Sequence, residues 1–326
     1  MTARANPAAP GAGLALALAL LSATAAAAPP QAYRAPRTVY GQPDLQGAWT
    51  NVSVTRLERR PGLALTVPPA QEAAEEAAQV KAFMHPPGDV FDQRASEWQP
   101  EYHAARIDGR VRTSFIVSPA DGRLPYRPGV RERLAARVRA LDELADNPED
   151  RTTGDRCLTG AGGPPMVNPN AAGGRQIVQT RDAVAILSET NHDVRIVRLG
   201  TPGHPPVHGP AGVRAWMGDS IGWWQGDTLV VETVNLHPEE LLHQGFVLSP
   251  AARITERFTR TSKTELLYSY EVDDPATYTQ AWRAEMPFVA ETSPIYEYAC
   301  HEGNYSMTGI LAGARKQEAD AAAGGR

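Results

Sequence analysis

Two cysteines, Cys157 and Cys300, are all that this chain of 326 residues contains. No Cys-x-x-Cys occurs, so iron–sulfur and dithiol redox chemistry lack their usual groups. No glycine-rich loop follows a strand pattern, which removes the usual cradle for nucleotide phosphates. Lysine and arginine nowhere crowd into a stripe and the formal net charge is -5, which disfavours a nucleic-acid partner. Beyond the first residues no apolar run approaches the length of a membrane span. No internal repeat and no carboxylate pair of telling spacing is present, and no cofactor or metal is expected.

What is present begins with export. Arg4 is followed by Gly11-Ala-Gly-Leu-Ala-Leu-Ala-Leu-Ala-Leu-Leu-Ser-Ala-Thr-Ala and further small residues to Ala28. Residues 1–28 read as a cleavable secretion signal, since the apolar core is too short to span. No cysteine lies near the cleavage point to carry a lipid anchor. The protein is expected to be periplasmic or secreted, where Cys157 and Cys300 would normally be joined; the alternative is two separate buried thiols. Residues 29–40 form a Pro/Ala linker, 41–314 a single domain, and 315–326 an Ala/Gly/charged tail expected to be disordered.

The stretch from Arg214 to Glu232 reads as two strands folded back on each other, with Gln225-Gly226-Asp227 as turn chemistry and Thr228–Thr233 as a β-branched strand. Within it, Gly218-Asp219-Ser220-Ile221-Gly222 matches the Gly-x-Ser-x-Gly pattern of a nucleophile elbow. That motif needs a helix after the serine. Trp223, Trp224 and the residues beyond alternate like a strand, so the segment is read as a glycine-flanked bend.

Further strands are expected at 176–180, 183–188, 194–198, 220–224, 252–259, 265–272, 279–288 and 295–300, separated by short turns such as Arg181-Asp182 and Asp273-Asp274-Pro275. Helices are expected at 70–84 and 130–145, the second with Val130, Leu134, Val138 and Leu141 on one face. Gly47-Ala48-Trp49 resembles the N-terminal Gly-x-Trp signature of lipocalin-like barrels. The fold class is mainly β: an antiparallel meander closing into a lipocalin-like, calycin-type barrel with a few accessory helices.

Several residues could carry chemistry. His192 with Asp193 sits in Glu189-Thr-Asn-His-Asp, between two strands, where a carboxylate beside an imidazole suits general acid/base work; the alternative is an exposed turn. His204-Pro-Pro-Val-His208 has metal-ligand spacing, but Pro205 and Pro206 forbid the helix that would align the rings, and a stiff surface loop is the alternative. Tyr296-Glu-Tyr298-Ala-Cys300-His301-Glu302 alternates on what looks like a final strand, with tyrosines on one face and Glu297 on the other. Arg253, Glu256 and Arg257 read as structural charge pairs.

Taken together, Gly41-Gln-Pro-Asp-Leu-Gln-Gly-Ala-Trp-Thr-Asn, Trp216-x-Gly-Asp-Ser-Ile-Gly, Gly226-Asp-Thr-Leu-Val-Val-Glu-Thr, Glu256-Arg-Phe-Thr-Arg and Tyr296-Glu-Tyr-Ala-Cys-His-Glu-Gly-Asn-Tyr resemble a large family of exported, functionally uncharacterised β-rich proteins of proteobacteria and acidobacteria. The resemblance covers most of the mature chain. It implies a bacterial periplasmic or secreted β protein and no particular reaction. Two departures stand out: Leu248 precedes Ser249 where many relatives carry His-Ser, and Trp223 stands where relatives often have a basic residue. His243 lies near the first of these.

The resulting expectation is a barrel that holds a small, partly apolar or aromatic molecule and transforms it without a cofactor, as a lyase, isomerase or hydrolase. His192 or His301 would shuttle the proton, Asp193, Asp219 or Glu302 would orient the imidazole, and Trp216, Trp223 and Tyr298 would be walls. A non-catalytic periplasmic carrier using the same cavity, and an envelope scaffold with a filled barrel and an exposed apolar patch, are the other two readings.

Overall fold

The computed structural model describes residues 1–2, 33–84, 102–143, 145–159, 163–167, 174–200, 204, 206–237, 242–243 and 246–324. The expected signal segment, apart from Met1 and Thr2, lies outside these residues. From Tyr33 onward the chain forms one compact unit.

Nine strands close on themselves. In sequence they are β1 (Gly47–Thr50), β5 (Arg175–Gln179), β6 (Ala183–Ser188), β7 (Val194–Leu199), β8 (Asp219–Gln225), β9 (Thr228–Val234), β12 (Arg253–Arg260), β13 (Glu265–Asp273) and β14 (Trp282–Ala290). They pair in that order and β14 returns to β1, through Trp49 opposite Ala290, which completes the barrel. The short strands β2 (Arg106–Ile107) and β3 (Arg110–Val111) form one accessory hairpin and β10 (Leu242–His243) and β11 (Phe246–Val247) another, while β4 (Ile116–Ser118) extends the edge of β14 beside β1. Helices α1 (Glu72–Met84) and α2 (Val130–Glu143) stand where the 3.6-residue periodicity puts them.

Period-two alternation fixes which residues face inward. Ile254, Glu256 and Phe258 on β12, Leu266, Tyr268, Tyr270 and Val272 on β13, and Trp282, Ala284, Met286 and Phe288 on β14 are all buried. Trp49 is 2 % exposed and donates its indole N–H to Leu45 O at 3.0 Å. The interior is therefore filled with large side chains, and burying so many aromatics and aliphatics supplies most of the favourable folding energy.

Between β8 and β9 the chain reverses through Gly226 and Asp227, with Gly226 at φ 61°, a conformation costly for other residues. Ser220 lies inside β8, is 2 % exposed and shares a 2.8 Å hydrogen bond with Thr233. It is a strand residue facing the core, not a bend.

Three regions differ from the sequence reading. First, β7 and β8 are parallel, Val197 opposite Ser220 and Leu199 opposite Gly222. Parallel neighbours need a long connection, and the proline-rich stretch 200–218 provides it, so one pair interrupts the antiparallel meander. Second, 295–299 is not a strand, and Cys300–Gly303 is a short helix, α3. The edges of β14 are already taken by β13 on one side and by β1 and β4 on the other, so no ladder is left for it to join. Third, the expected unstructured tail continues as α4, Tyr305–Gly324. Alanine is the best helix former, and Lys316 with Asp320 and Arg315 with Glu318 pair along one face.

Candidate functional site

Cys157 and Cys300 are joined, with sulfurs 1.99 Å apart across 143 residues of sequence. This bond ties Cys300, at the start of α3, to the loop at Cys157, and hydrogen bonds from the residues just before it reach the β6–β7 turn. His192 stands at the tip of that turn, where Asn191 and His192 both have positive φ, 57° and 54°. Its Nε2 accepts the Tyr298 N–H at 3.2 Å, which leaves the proton of the neutral ring on Nδ1. Glu189 binds the same segment with its carboxylate, one oxygen accepting the Tyr296 N–H at 3.1 Å and the other the Gly174 N–H at 2.7 Å.

Asp193 is half-buried and accepts the Thr159 hydroxyl at 3.2 Å. Its charge also reaches Arg175, whose fully buried guanidinium is pushed down to about 10 by desolvation, with Arg195 adding to the effect while Tyr268 and Asp193 oppose it. His301 and Glu302 are exposed on α3. Beside the disulfide lies a surface cleft of about 350 Å³, lined among others by Asp155, Tyr298, Cys300, Asn304 and Ser306. Asn304 fastens its floor, donating to Asp155 O at 2.8 Å and accepting from the Ser306 hydroxyl at 3.1 Å. Tyr298 keeps 44 % of its surface exposed beside this space. The Arg151 guanidinium stands 3.1 Å from the Asp155 carboxylate, so that charge is compensated.

Asp219 belongs to a different place. On the outer wall its carboxylate takes Arg198 at 2.6 Å, the Gly209 N–H at 2.6 Å and His208 Nδ1 at 3.1 Å. His208 Nε2 lies 3.0 Å from Glu232, which also pairs with Arg253. The ring bridges both carboxylates, so His208 clips the 206–215 loop to the barrel. Burial pushes the Asp219 carboxyl up, but the Gly209 N–H, Arg198 and His208 pull it below its ordinary value; Glu232 behaves likewise through Arg253 and His208. His204 is exposed and away from this clip's contacts. Among the described residues no group of three or more His, Cys, Asp or Glu is arranged to hold a metal ion.

Trp216 lies in the connection before β8 and stacks on His237 with centroids 4.0 Å apart. Trp223 alternates with Trp224, the neighbour that packs on the core, and so faces outward. Neither lines the cleft at the disulfide, and neither faces the barrel interior.

The interior carries charge that sequence reading had assigned only as a structural pairing. Arg195 forks onto Glu256 with its second contact at 3.0 Å, Tyr268 donates to Glu256 at 2.7 Å, and Met166 N–H donates to the Tyr268 oxygen at 2.9 Å. Glu256 is 0 % exposed. Glu189, by contrast, had no assigned role at all. Its position beside His192 in a turn was the available signal, but one of its partners, the Tyr296 amide, comes from 107 positions away.

Compared with protein-family models, with curated proteins and with solved structures, the chain matches none. Among the described residues no helix is long and apolar enough to cross a membrane.

Proposed function

We propose that this is an exported β-barrel protein that receives a small, partly apolar or aromatic molecule in the cleft beside the Cys157–Cys300 disulfide, and transforms it there by cofactor-independent acid/base chemistry. The observation that carries the reading is convergence: the stretch with His192 and Asp193 and the stretch with Tyr298, His301 and Glu302 are joined by the Tyr296 and Tyr298 amides on Glu189 and His192, and the second stretch is fixed by the disulfide to the loop at Cys157. The filled barrel interior moves the ligand from the lumen to this outer cleft. A neutral molecule with one flat face suits it, the face against Tyr298 and polar edges toward Asp155 and Ser306. His192, bonded to the Tyr298 amide behind the lining, or His301, next to Cys300 in the chain, supplies the proton shuttle, with Asp193 or Glu302 as its sequence neighbour; the lining itself is Tyr298, Cys300, Asp155, Asn304, Ser306 and their neighbours. The disulfide supports export, since such bonds persist in oxidising compartments.

The test is native mass spectrometry with matched denatured spectra on protein purified gently from its own compartment. A retained organic mass that is lost in Tyr298→Ala supports the cleft; a mass retained in that variant places the ligand elsewhere. Turnover of the compound lost in His192→Ala or His301→Ala identifies an enzyme, and binding without consumption identifies a carrier.

An envelope scaffold is favoured by a separate observation. Val178, Ala185 and Ile196 lie in register across the outer faces of β5, β6 and β7, beside Leu187 and Val194, and Val178, Val194 and Ile196 are 43 %, 48 % and 53 % exposed. Replacing Val178 and Ile196 with lysine separates the readings: it abolishes partner binding for a scaffold and leaves ligand binding intact for a cleft protein.

A further inference from the structure

The segment 291–299 is attached in an unusual way. Past Glu291, whose N–H donates to Ala48 O at 2.8 Å, it joins no ladder, yet two of its amides, those of Tyr296 and Tyr298, are consumed by side chains of the β6–β7 turn, Glu189 and His192. Two residues further on, Cys300 is bonded to Cys157. The alternation 296, 298, 300 therefore places three attachments along one edge of an extended strap. Under it, Ile295 rests on Gly174: a Cβ added there would lie 2.9 Å from Ile295 Cδ1. The strap is also one wall of the cleft, through Tyr298, Ala299 and Cys300.

The three attachments differ in kind. The disulfide is covalent, and Glu189 supplies carboxylate oxygens as acceptors. His192 Nε2 accepts only while it carries no proton. When that nitrogen is protonated, two donors, N–H and Tyr298 N–H, face each other, and the contact becomes repulsive. We infer that His192 is a pH-operated latch on the strap: neutral His192 holds it down and narrows the cleft, and protonated His192 releases it as a hinge retained by the Cys157–Cys300 bond.

The ionisable groups tied to the latch are Glu189, which holds the Tyr296 amide, and Asp193 on its own turn, with Arg175 on β5 acting on Asp193; Tyr298, His301 and Glu302 follow on the strap and α3. The inference rests on the cleft reading for its consequence, ligand release on acidification, but the latch itself is a property of the protein alone.

The experiment is hydrogen exchange of the full mature protein without ligand, at pH 7.5 and 5.0, corrected for intrinsic rates. In the wild type, protection of 295–300 is expected to fall about fivefold at the lower pH, the scale of one hydrogen bond, while β13 stays protected as an internal control of folding. In His192→Gln, whose amide oxygen accepts at both values, the pH response disappears. Gly174→Val lifts the strap at both values. Unchanged wild-type protection, or an equal pH response in His192→Gln, overturns the latch. Either result leaves the cleft reading to its own ligand test, and a cleft that binds nothing leaves the exchange result standing.

Discussion

Strand β13 and the segment 291–299 carry the same kind of pattern, Tyr268-Ser-Tyr270-Glu271 in one and Tyr296-Glu-Tyr298 in the other, and end as different structures. In β13 the tyrosines turn inward and are 0 % and 2 % exposed, because β12 and β14 flank it on both sides. In the strap they are 62 % and 44 % exposed, and the amides are held by two side chains and a disulfide. Alternation states that a segment is able to be a strand; an unoccupied neighbouring edge decides whether it becomes one. The wall is over-determined and the strap is held at a few points, so the two should respond very differently to perturbation.

The largest effect is expected inside the wall. Glu256→Gln breaks the forked contact with Arg195 and leaves a buried guanidinium uncompensated, a loss of about 3–5 kcal/mol, read as a lower urea midpoint with unchanged slope. A loss below 1 kcal/mol would show that the interior charges are replaceable by packing alone. Next comes the strap's covalent anchor. Cys157→Ser with Cys300→Ser removes a cross-link over 143 residues, and about 2–4 kcal/mol is expected to go, together with exchange protection of 295–300. Protection that survives this double substitution would mean that Glu189 and His192 suffice.

How much of this was legible follows the same division. The strands β5, β6, β7, β8, β9, β12, β13 and β14 could be read because β-branched and aromatic residues alternate between marked turns, and joined cysteines were one of two readings, the one that the expected export favoured. The parallel β7–β8 pair could not, since a proline-rich connection has the same composition whichever end of the barrel it returns to. At the site, His192, Asp193 and Tyr298 were visible as chemical types, but the contact of His192 with Tyr298 spans 106 positions. Glu189 was invisible because what it does depends on amides from elsewhere. Arg195 was obscured because apolar residues occupy both faces of β7, Val194 and Ile196 outside and Val197 and Leu199 inside, so alternation alone does not say which side is the core.

The wall also contains a glycine whose replacement tests how rigid it is. A Cβ on Gly222 would lie 2.7 Å from Val197 Cγ1, 3.1 Å from Leu199 Cδ2 and 3.2 Å from Val230 O. All three belong to neighbouring strands that are fully paired, so Gly222→Ala is expected to cost about 1–3 kcal/mol by overpacking. On the outer face, the clip of Arg198, Asp219, His208, Glu232 and Arg253 gives a smaller, pH-dependent effect. The Asp219 and Glu232 carboxyls are lowered in the folded state. Their stabilisation is therefore complete above the unfolded carboxyl values of about 4 and is lost as the pH falls through the folded ones. Urea midpoints measured from pH 6 to 3 should fall less steeply for Asp219→Asn with Glu232→Gln than for the wild type; equal slopes would assign the acid loss to other carboxylates.

Gly174→Ala is the counterpart of Gly222→Ala and the smallest expected effect. Its added Cβ meets Ile295 Cδ1 at 2.9 Å, with Glu189 Oε2 and Glu291 Cγ each at 3.8 Å. Only the Ile295 methyl is too close, and it ends a side chain able to change rotamer on a segment without ladder bonds. Global stability should thus change by less than about 1 kcal/mol, while exchange at 295–300 rises and the β5–β6 amides keep their protection. Similar costs for the two glycine substitutions would remove the distinction between wall and strap, because they would show that the strap is packed as tightly as the barrel it lies on.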